Sequence, residues 1–196
     1  MEKIVDYYFT PTSPWTYLGH ARFGEIARRH GAAIRVKPVD YGRIFPISGG
    51  LPLARRAPQR QSYRLFELER WRKHLGVPLT VHPKFFPAPA EHASRLILAA
   101  PVAVQFQLAG AVLRGIWAEE KDIADAATLG AIADSCGLDG ARLVSAAQTP
   151  ETAALYDSLT AEAIELQVFG APTYRYRDEP FWGQDRLEFL DRALAA

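Results

Sequence analysis

Residues 3–9 (KIVDYYF) are rich in β-branched and aromatic types, the pattern of a strand. Thr10-Pro11-Thr12-Ser13-Pro14 stops it. Ser13 reads as a helix N-cap and Pro14 as the first helical position, where a missing N–H costs nothing. The helix runs to about His30, and Gly31 suits its C-terminal cap. Residues 34–39 (IRVKPV) predict a second strand, with Pro38 placing its end at a sheet edge or outside the ladder. Residues 42–60 hold Gly42, Gly49, Gly50, Pro46, Pro52 and Pro58, and predict a long structured loop. Its far end is basic, with Arg55, Arg56 and Arg60.

Helical spacing dominates residues 62–167. Leu65, Leu68, Trp71 and Leu75 share one face, as do Phe106, Ala109, Leu113, Ile116 and Trp117, so both tryptophans read as core. Pro101 separates two helices. Leu129, Ile132, Ala133 and Cys136 form another stripe, closed by Gly137, and Thr149-Pro150 opens a helix through Leu155, Leu159 and Leu166. Gly170-Ala171-Pro172 ends it. Residues 173–177 (TYRYR) alternate like a strand, Asp178-Glu179 turns, and Pro180-Phe181-Trp182 returns. A last helix carries Leu187, Leu190 and Leu194 on one face. The order is β-α-β, a helical block, then β-β-α. This α/β layout predicts a thioredoxin-like fold, with residues 1–61 and 168–196 as one domain and 62–167 as an inserted all-helical domain.

Composition narrows the function classes. The 196 residues carry 23 Lys+Arg against 22 Asp+Glu, a balance that argues against an electrostatically driven nucleic-acid partner. A single cysteine, Cys136, excludes an intramolecular disulfide, a CxxC redox pair and a cysteine-based zinc site, and its apolar stripe predicts a buried structural thiol. His20, His30, His74, His82 and His92 lack metal-ligand spacing, so no metal is expected. Apolar runs are too short for a bilayer span, and the first residues lack a signal-peptide pattern, so a cytoplasmic setting is expected.

Three short segments carry candidate chemistry. Ser13 is an ordinary N-cap by position, yet a helix N-terminus also stabilises an anion, which a serine hydroxyl there could hold. Pro172 is a helix stop or, if cis, a residue that turns the Ala171 backbone outward to pair with an extended ligand. Gly183-Gln184-Asp185-Arg186 is a helix cap with a solvated arginine, or a clamp whose free N–H groups take a carboxylate while Asp185 takes an ammonium.

Together the segments DYYFTPTSPWTYLG (6–19), VKPVDYGRIFPISGGLPLARRAPQRQSYR (36–64), VFGAPTY (168–174) and FWGQDRLEFL (181–190) resemble the 2-hydroxychromene-2-carboxylate isomerases and their relatives, the kappa-class glutathione transferases, in the DsbA-like branch of the thioredoxin fold. The resemblance covers essentially the whole chain. It implies that Ser13 and Thr16 stand where a DsbA-type oxidoreductase has its two cysteines, so thiol–disulfide exchange is excluded there. It implies glutathione as cofactor, with its sulfur at Ser13, its cysteinyl part along Ala171 beside Pro172, and its γ-glutamyl end at Gln184 and Asp185. Arg60 falls where related transferases hold the glycyl end with a lysine, whereas their asparagine has no counterpart in Gly49-Gly50-Leu51.

The implied reaction is reversible addition of the glutathione thiolate, interconverting 2-hydroxychromene-2-carboxylate and trans-o-hydroxybenzylidenepyruvate or a close aromatic analogue. A cysteine-like thiol with pKa near 8.5 is roughly 3% ionised at pH 7, and lowering the pKa by about two units requires about 2.7 kcal/mol. A helix N-terminus gives about 0.3–1 kcal/mol, up to ~2, and a hydrogen bond to a charged group about 1.5–3. Ser13 and its helix together reach the requirement. An aromatic carboxylate substrate is expected to meet Lys37, Arg55 or Arg56, with Trp15, Phe45 and Tyr63 as apolar walls. A transferase forming stable conjugates and a redox-inactive peptide-binding module are the alternatives. The family also implies a homodimer.

Overall fold

The computed structural model describes residues 2–196; residue 1, the first of the expected thioredoxin-like domain, lies outside the described residues. Four strands, β1 (Ile4–Phe9), β2 (Ala33–Pro38), β3 (Thr173–Tyr176) and β4 (Glu179–Trp182), form one sheet in the order β2-β1-β3-β4. β1 runs parallel to β2 and antiparallel to β3, and β3 pairs antiparallel with β4. Pro38 lies at the end of the edge strand β2, where a missing N–H is tolerated.

Among the described residues nine α-helices surround the sheet: α1 (Pro14–Arg29), α2 (Tyr41–Ser48), α3 (Pro58–Leu75), α4 (Glu91–Ala99), α5 (Val102–Trp117), α6 (Ala126–Ser135), α7 (Gly140–Ala147), α8 (Pro150–Glu165) and α9 (Leu187–Ala195). Alternation along β1 divides its side chains between two layers. Val5, Tyr7 and Phe9 enter the main core with Phe23 of α1 and Leu108, Val112 and Ile116 of α5. Tyr8 faces the opposite way, into a smaller cluster with Val39, Ile44 of α2 and Ala163 of α8. The inserted helices therefore share one apolar core with the sheet. Burial of that core is the main favourable contribution to folding.

Several sequence expectations shift. The stretch 42–60 is largely helical rather than a loop. Asp40 accepts the Gly42 N–H at 2.7 Å and opens α2, which accommodates Pro46 and ends at Gly49 in the left-handed region, φ 76°. A 3₁₀ turn at Leu53–Arg55 follows, and α3 starts at Pro58, so residue 62 lies inside a helix. The helical block is interrupted: residues 76–90 are irregular, containing Pro78, Pro83, Pro87 and Pro89 and a cis Phe86–Pro87 bond. The β3–β4 hairpin turns at Arg177-Asp178, one residue earlier than expected, since Tyr176 pairs with Glu179. Cys136 is half-buried rather than buried, because it is the residue that closes α6 where the helix leaves the core. Trp117 is fully buried, and Trp71 packs partly buried against Leu18 and Leu68.

Candidate functional site

Ser13 caps α1 as its position predicts. Its Oγ accepts the Thr16 N–H at 3.2 Å, and its hydroxyl donates to the Ala171 carbonyl at 3.4 Å. The second bond is long and therefore weak. Pro14 has no N–H, the Thr16 N–H is taken by Ser13 Oγ and the Tyr17 N–H by the Ser13 carbonyl. Among the described residues the Trp15 N–H has no acceptor. The first turn of α1 carries no acidic residue, so its positive end is uncompensated. Ser13 itself is largely buried, 8% exposed.

The Ala171–Pro172 peptide bond is cis. Ala171 is half-buried beside Ser13, and Thr173 Oγ1 and Tyr41 Oη both donate to the Gly170 carbonyl, at 2.7 and 2.8 Å, fixing the turn before β3. The Gly183 N–H donates to the Pro172 carbonyl at 2.9 Å and ties the next segment to this turn. Gly183 has φ 104°, a conformation reserved for glycine, and a 3₁₀ turn at Gln184–Arg186 leads into α9. Among the described residues the Gln184 and Asp185 N–H groups have no acceptor. Ser13, Ala171, Pro172, Gln184 and Asp185 are thus brought into one region around the leading half of α1.

Gln184 differs from its sequence reading. It is 2% exposed, and Arg22 donates to both its backbone carbonyl (2.6 Å) and its Oε1 (2.5 Å). Its side-chain oxygen is engaged, which leaves its backbone N–H for a ligand. Gly19 lets the two elements meet: a Cβ there would fall 2.8 Å from Gln184 Cβ and from Tyr174 Oη. Asp185 stays exposed, with Arg186 at 2.7 Å. Arg22 and Gly19 escaped the sequence reading, since only the fold opposes α1 to the segment after β4.

The expected substrate residues separate. Lys37 is buried and committed: its Nζ lies 2.5 Å from Glu162, 3.1 Å from Asp6 and 3.2 Å from Tyr8 Oη. Tyr8 donates to Glu162, and burial and that bond push its phenol pKa up. Lys37 therefore has no free charge for a substrate. Tyr63 is exposed on the outer side of α3, under Arg70. Phe45 packs on Tyr41, 5.6 Å between ring centroids, and so borders Gly170. Trp15 packs with Leu18 and Leu68. Arg55 and Arg60 are exposed, and Arg56 is half-buried with Nε on the Leu51 carbonyl at 2.8 Å.

Beneath the site, His20 is buried between α1 and α5. Its Nε2 donates to the Phe106 carbonyl at 3.1 Å, so Nδ1 accepts from Tyr7 Oη at 3.2 Å. Burial pulls its pKa down to about 4, and the ring stays neutral at pH 7.

Comparison with known proteins places the fold. The family model for the DSBA-like thioredoxin domain matches residues 4–195. A 2-hydroxychromene-2-carboxylate isomerase from Sphingobium xenophagum is 31% identical over 195 residues, covering 99% of each chain. One from Pseudomonas putida is 29% identical, covering 97% of this chain and 94% of its own. A solved structure of a 2-hydroxychromene-2-carboxylate isomerase superposes with a TM-score of 0.84 at 28% identity, covering 98% of this chain and 94% of that one. With the family model matching residues 4–195 and near-complete coverage by these relatives, the chain belongs to the DSBA-like thioredoxin family and, within it, to the 2-hydroxychromene-2-carboxylate isomerases.

Proposed function

We propose that this isomerase interconverts 2-hydroxychromene-2-carboxylate and trans-o-hydroxybenzylidenepyruvate, or a close aromatic analogue, with glutathione as cofactor. The observation that carries the reading is the weakly held Ser13 hydroxyl at the uncompensated N-terminus of α1, with the Trp15 N–H free beside it. When bound, glutathione would supply a thiolate nucleophile for reversible addition to the conjugated substrate.

The residues fit that cofactor. Ser13 Oγ keeps the Thr16 N–H and turns its proton from the distant Ala171 carbonyl to an anion, losing only a weak bond. The α1 dipole and the Trp15 N–H add to the same stabilisation. The Ala171 backbone would pair with the cysteinyl part, beside Pro172. The Gln184 and Asp185 N–H groups suit the γ-glutamyl carboxylate, and the Asp185 carboxylate suits its ammonium. Arg60, exposed in the first turn of α3, would take the glycyl carboxylate. Phe45 and Trp15 supply apolar surface for the substrate ring.

Isomerisation assays with and without glutathione, with glutathione titrated before and after turnover, test the reading. Turnover that requires glutathione and leaves its concentration unchanged supports it. A stable conjugate would identify a transferase, and absence of glutathione binding at millimolar concentration would identify a peptide-binding module.

A further inference from the structure

The carboxylates of α3 are already matched: Glu67 pairs with Arg70 at 2.6 Å, and Glu69 with Arg72 and Lys73 at 2.5 and 3.0 Å. No such partner reaches the arginines at the start of the helix. Among the described residues Arg55, Arg56, Arg60 and Arg64 have no carboxylate within salt-bridge distance, although Arg56 and Arg64 are half-buried. Arg64 lies one helical turn after Arg60 and one before Leu68, which is fully buried, so its side chain is drawn toward the interior. Its guanidinium sits over the Phe86 ring, 5.8 Å from the centroid. That contact holds the guanidinium beside an aromatic face, and among the described residues no carboxylate takes its N–H groups, which suit a planar bidentate acceptor.

Electrostatics agrees. Burial, and then the charge of Arg56, lowers the Arg64 pKa to about 10. Burial and the charge of Arg60 lower that of Arg56. Cations that repel one another while partly desolvated gain from a bound anion.

Contacts on both sides join this cluster to Ser13. Phe86 packs on Trp117, 5.1 Å between ring centroids, and Trp117 Nε1 donates to the Pro11 carbonyl at 3.1 Å, two residues before Ser13. On the other side Arg56 holds the Leu51 carbonyl, next to Gly50, where a Cβ would collide with the Phe45 ring, and Phe45 packs at a tilt against the Tyr41 that grips Gly170. The arginines are thus tied to the two strands of chain that flank the Ser13–Ala171 junction.

We infer that Arg64, supported by Arg56, is the specificity-determining residue that receives the carboxylate of the aromatic substrate. The identity of that ligand rests on the isomerase reading above; the anion site itself does not. Arg60, further out, remains for the cofactor.

Two measurements on Arg64→Gln and Arg64→Lys, each checked for an unchanged thermal midpoint, test this. Calorimetry without glutathione compares trans-cinnamate with its uncharged amide. Wild type is expected to bind cinnamate about ten-fold tighter or more, Arg64→Gln to bring the two within about two-fold, and Arg64→Lys to keep part of the preference, as for a charged hydrogen bond. In turnover, Arg64→Gln should raise KM for the substrate about ten- to a hundred-fold with kcat within about three-fold, while glutathione affinity stays within about two-fold. Equal binding of acid and amide by wild type overturns the inference. So does Arg64→Gln weakening glutathione while leaving substrate KM in place. If no glutathione-dependent turnover occurs but the Arg64-dependent preference for cinnamate holds, the isomerase reading fails and the anion site stands.

Discussion

The Ser13 hydroxyl spans α1 and the turn before β3: its oxygen takes the Thr16 N–H at 3.2 Å while its proton reaches the Ala171 carbonyl at 3.4 Å. One side chain thus caps a helix and loosely contacts the turn before β3.

Ser13→Ala removes both. Loss of the cap should cost about 1 kcal/mol of stability. If the hydroxyl also holds a thiolate, the thiol pKa of bound glutathione should rise by about one to two units, and turnover at neutral pH should fall about ten-fold or more. Thiolate absorbance against pH reads the first, and steady-state kinetics the second. Ser13→Thr keeps an oxygen and should retain the cap and part of the activity. An alanine variant with the wild-type thiol pKa and rate would reduce Ser13 to a cap.

The buried His20 makes stability depend on pH in a definite direction. In the fold its pKa is about 4, whereas unfolded it is ordinary, near 6.5. Between those values the unfolded chain takes up a proton that the native state refuses. The contribution is therefore intact above pH 6.5 and is lost as the pH falls to 4, by up to about 3 kcal/mol. Denaturant unfolding across this range should show that acid slope, and His20→Gln should flatten it. Equal slopes in the two proteins would mean that His20 is not held neutral.

Lys37 divides a structural role from a catalytic one. Lys37→Met leaves Glu162 with Tyr8 as a donor but without its Lys37 cation, while Asp6 keeps Arg35 at 2.5 Å. Removing one member of a buried pair costs about 3–5 kcal/mol, and the 38% exposure of the Glu162 side chain reduces this to about 2–3. Substrate KM should move less than about two-fold once the protein is folded, because no free charge is lost. A KM effect without a loss of stability would return Lys37 to the substrate site.

What the chain disclosed in advance followed its local grammar. Ser13-Pro14 and Thr149-Pro150 mark helix starts through a capping oxygen and a proline that needs no donor, and both helices begin there. Residues 3–9 showed a strand through their β-branched and aromatic content and 173–177 through alternation, both near-neighbour properties. The stretch 42–60 misled because its glycines and prolines read as breakers, while Asp40 supplied a cap and Pro46 was accommodated in a short helix. Lys37 and Gln184 misled for a different reason. Their partners, Glu162 and Arg22, are distant in sequence, and only the packing of α8 on β2 and of α1 on the final turn brings them together. Arg64 escaped the sequence reading, because its burial against Phe86 arises from the irregular stretch 76–90, which has no period to read.

Gly183 tests whether the segment after β4 is built to meet a ligand. Its φ of 104° lies outside the range of other residues, and a Cβ would collide with Asp185 Oδ1. Gly183→Ala must therefore strain the backbone by about 1–3 kcal/mol and push the Asp185 carboxylate aside. Gly31→Ala is the control: φ is 61°, yet nothing lies within 4 Å of its Cβ, so it should cost only about 1 kcal/mol, far from the site. Calorimetric titration with glutathione should show at least about ten-fold weaker binding for Gly183→Ala, the loss of a charged hydrogen bond, and an unchanged constant for Gly31→Ala. Since both substitutions strain a glycine conformation, a difference in binding isolates the displaced carboxylate and its neighbouring N–H groups. Equal affinities would remove Asp185 from the cofactor site and leave the segment as the cap of α9.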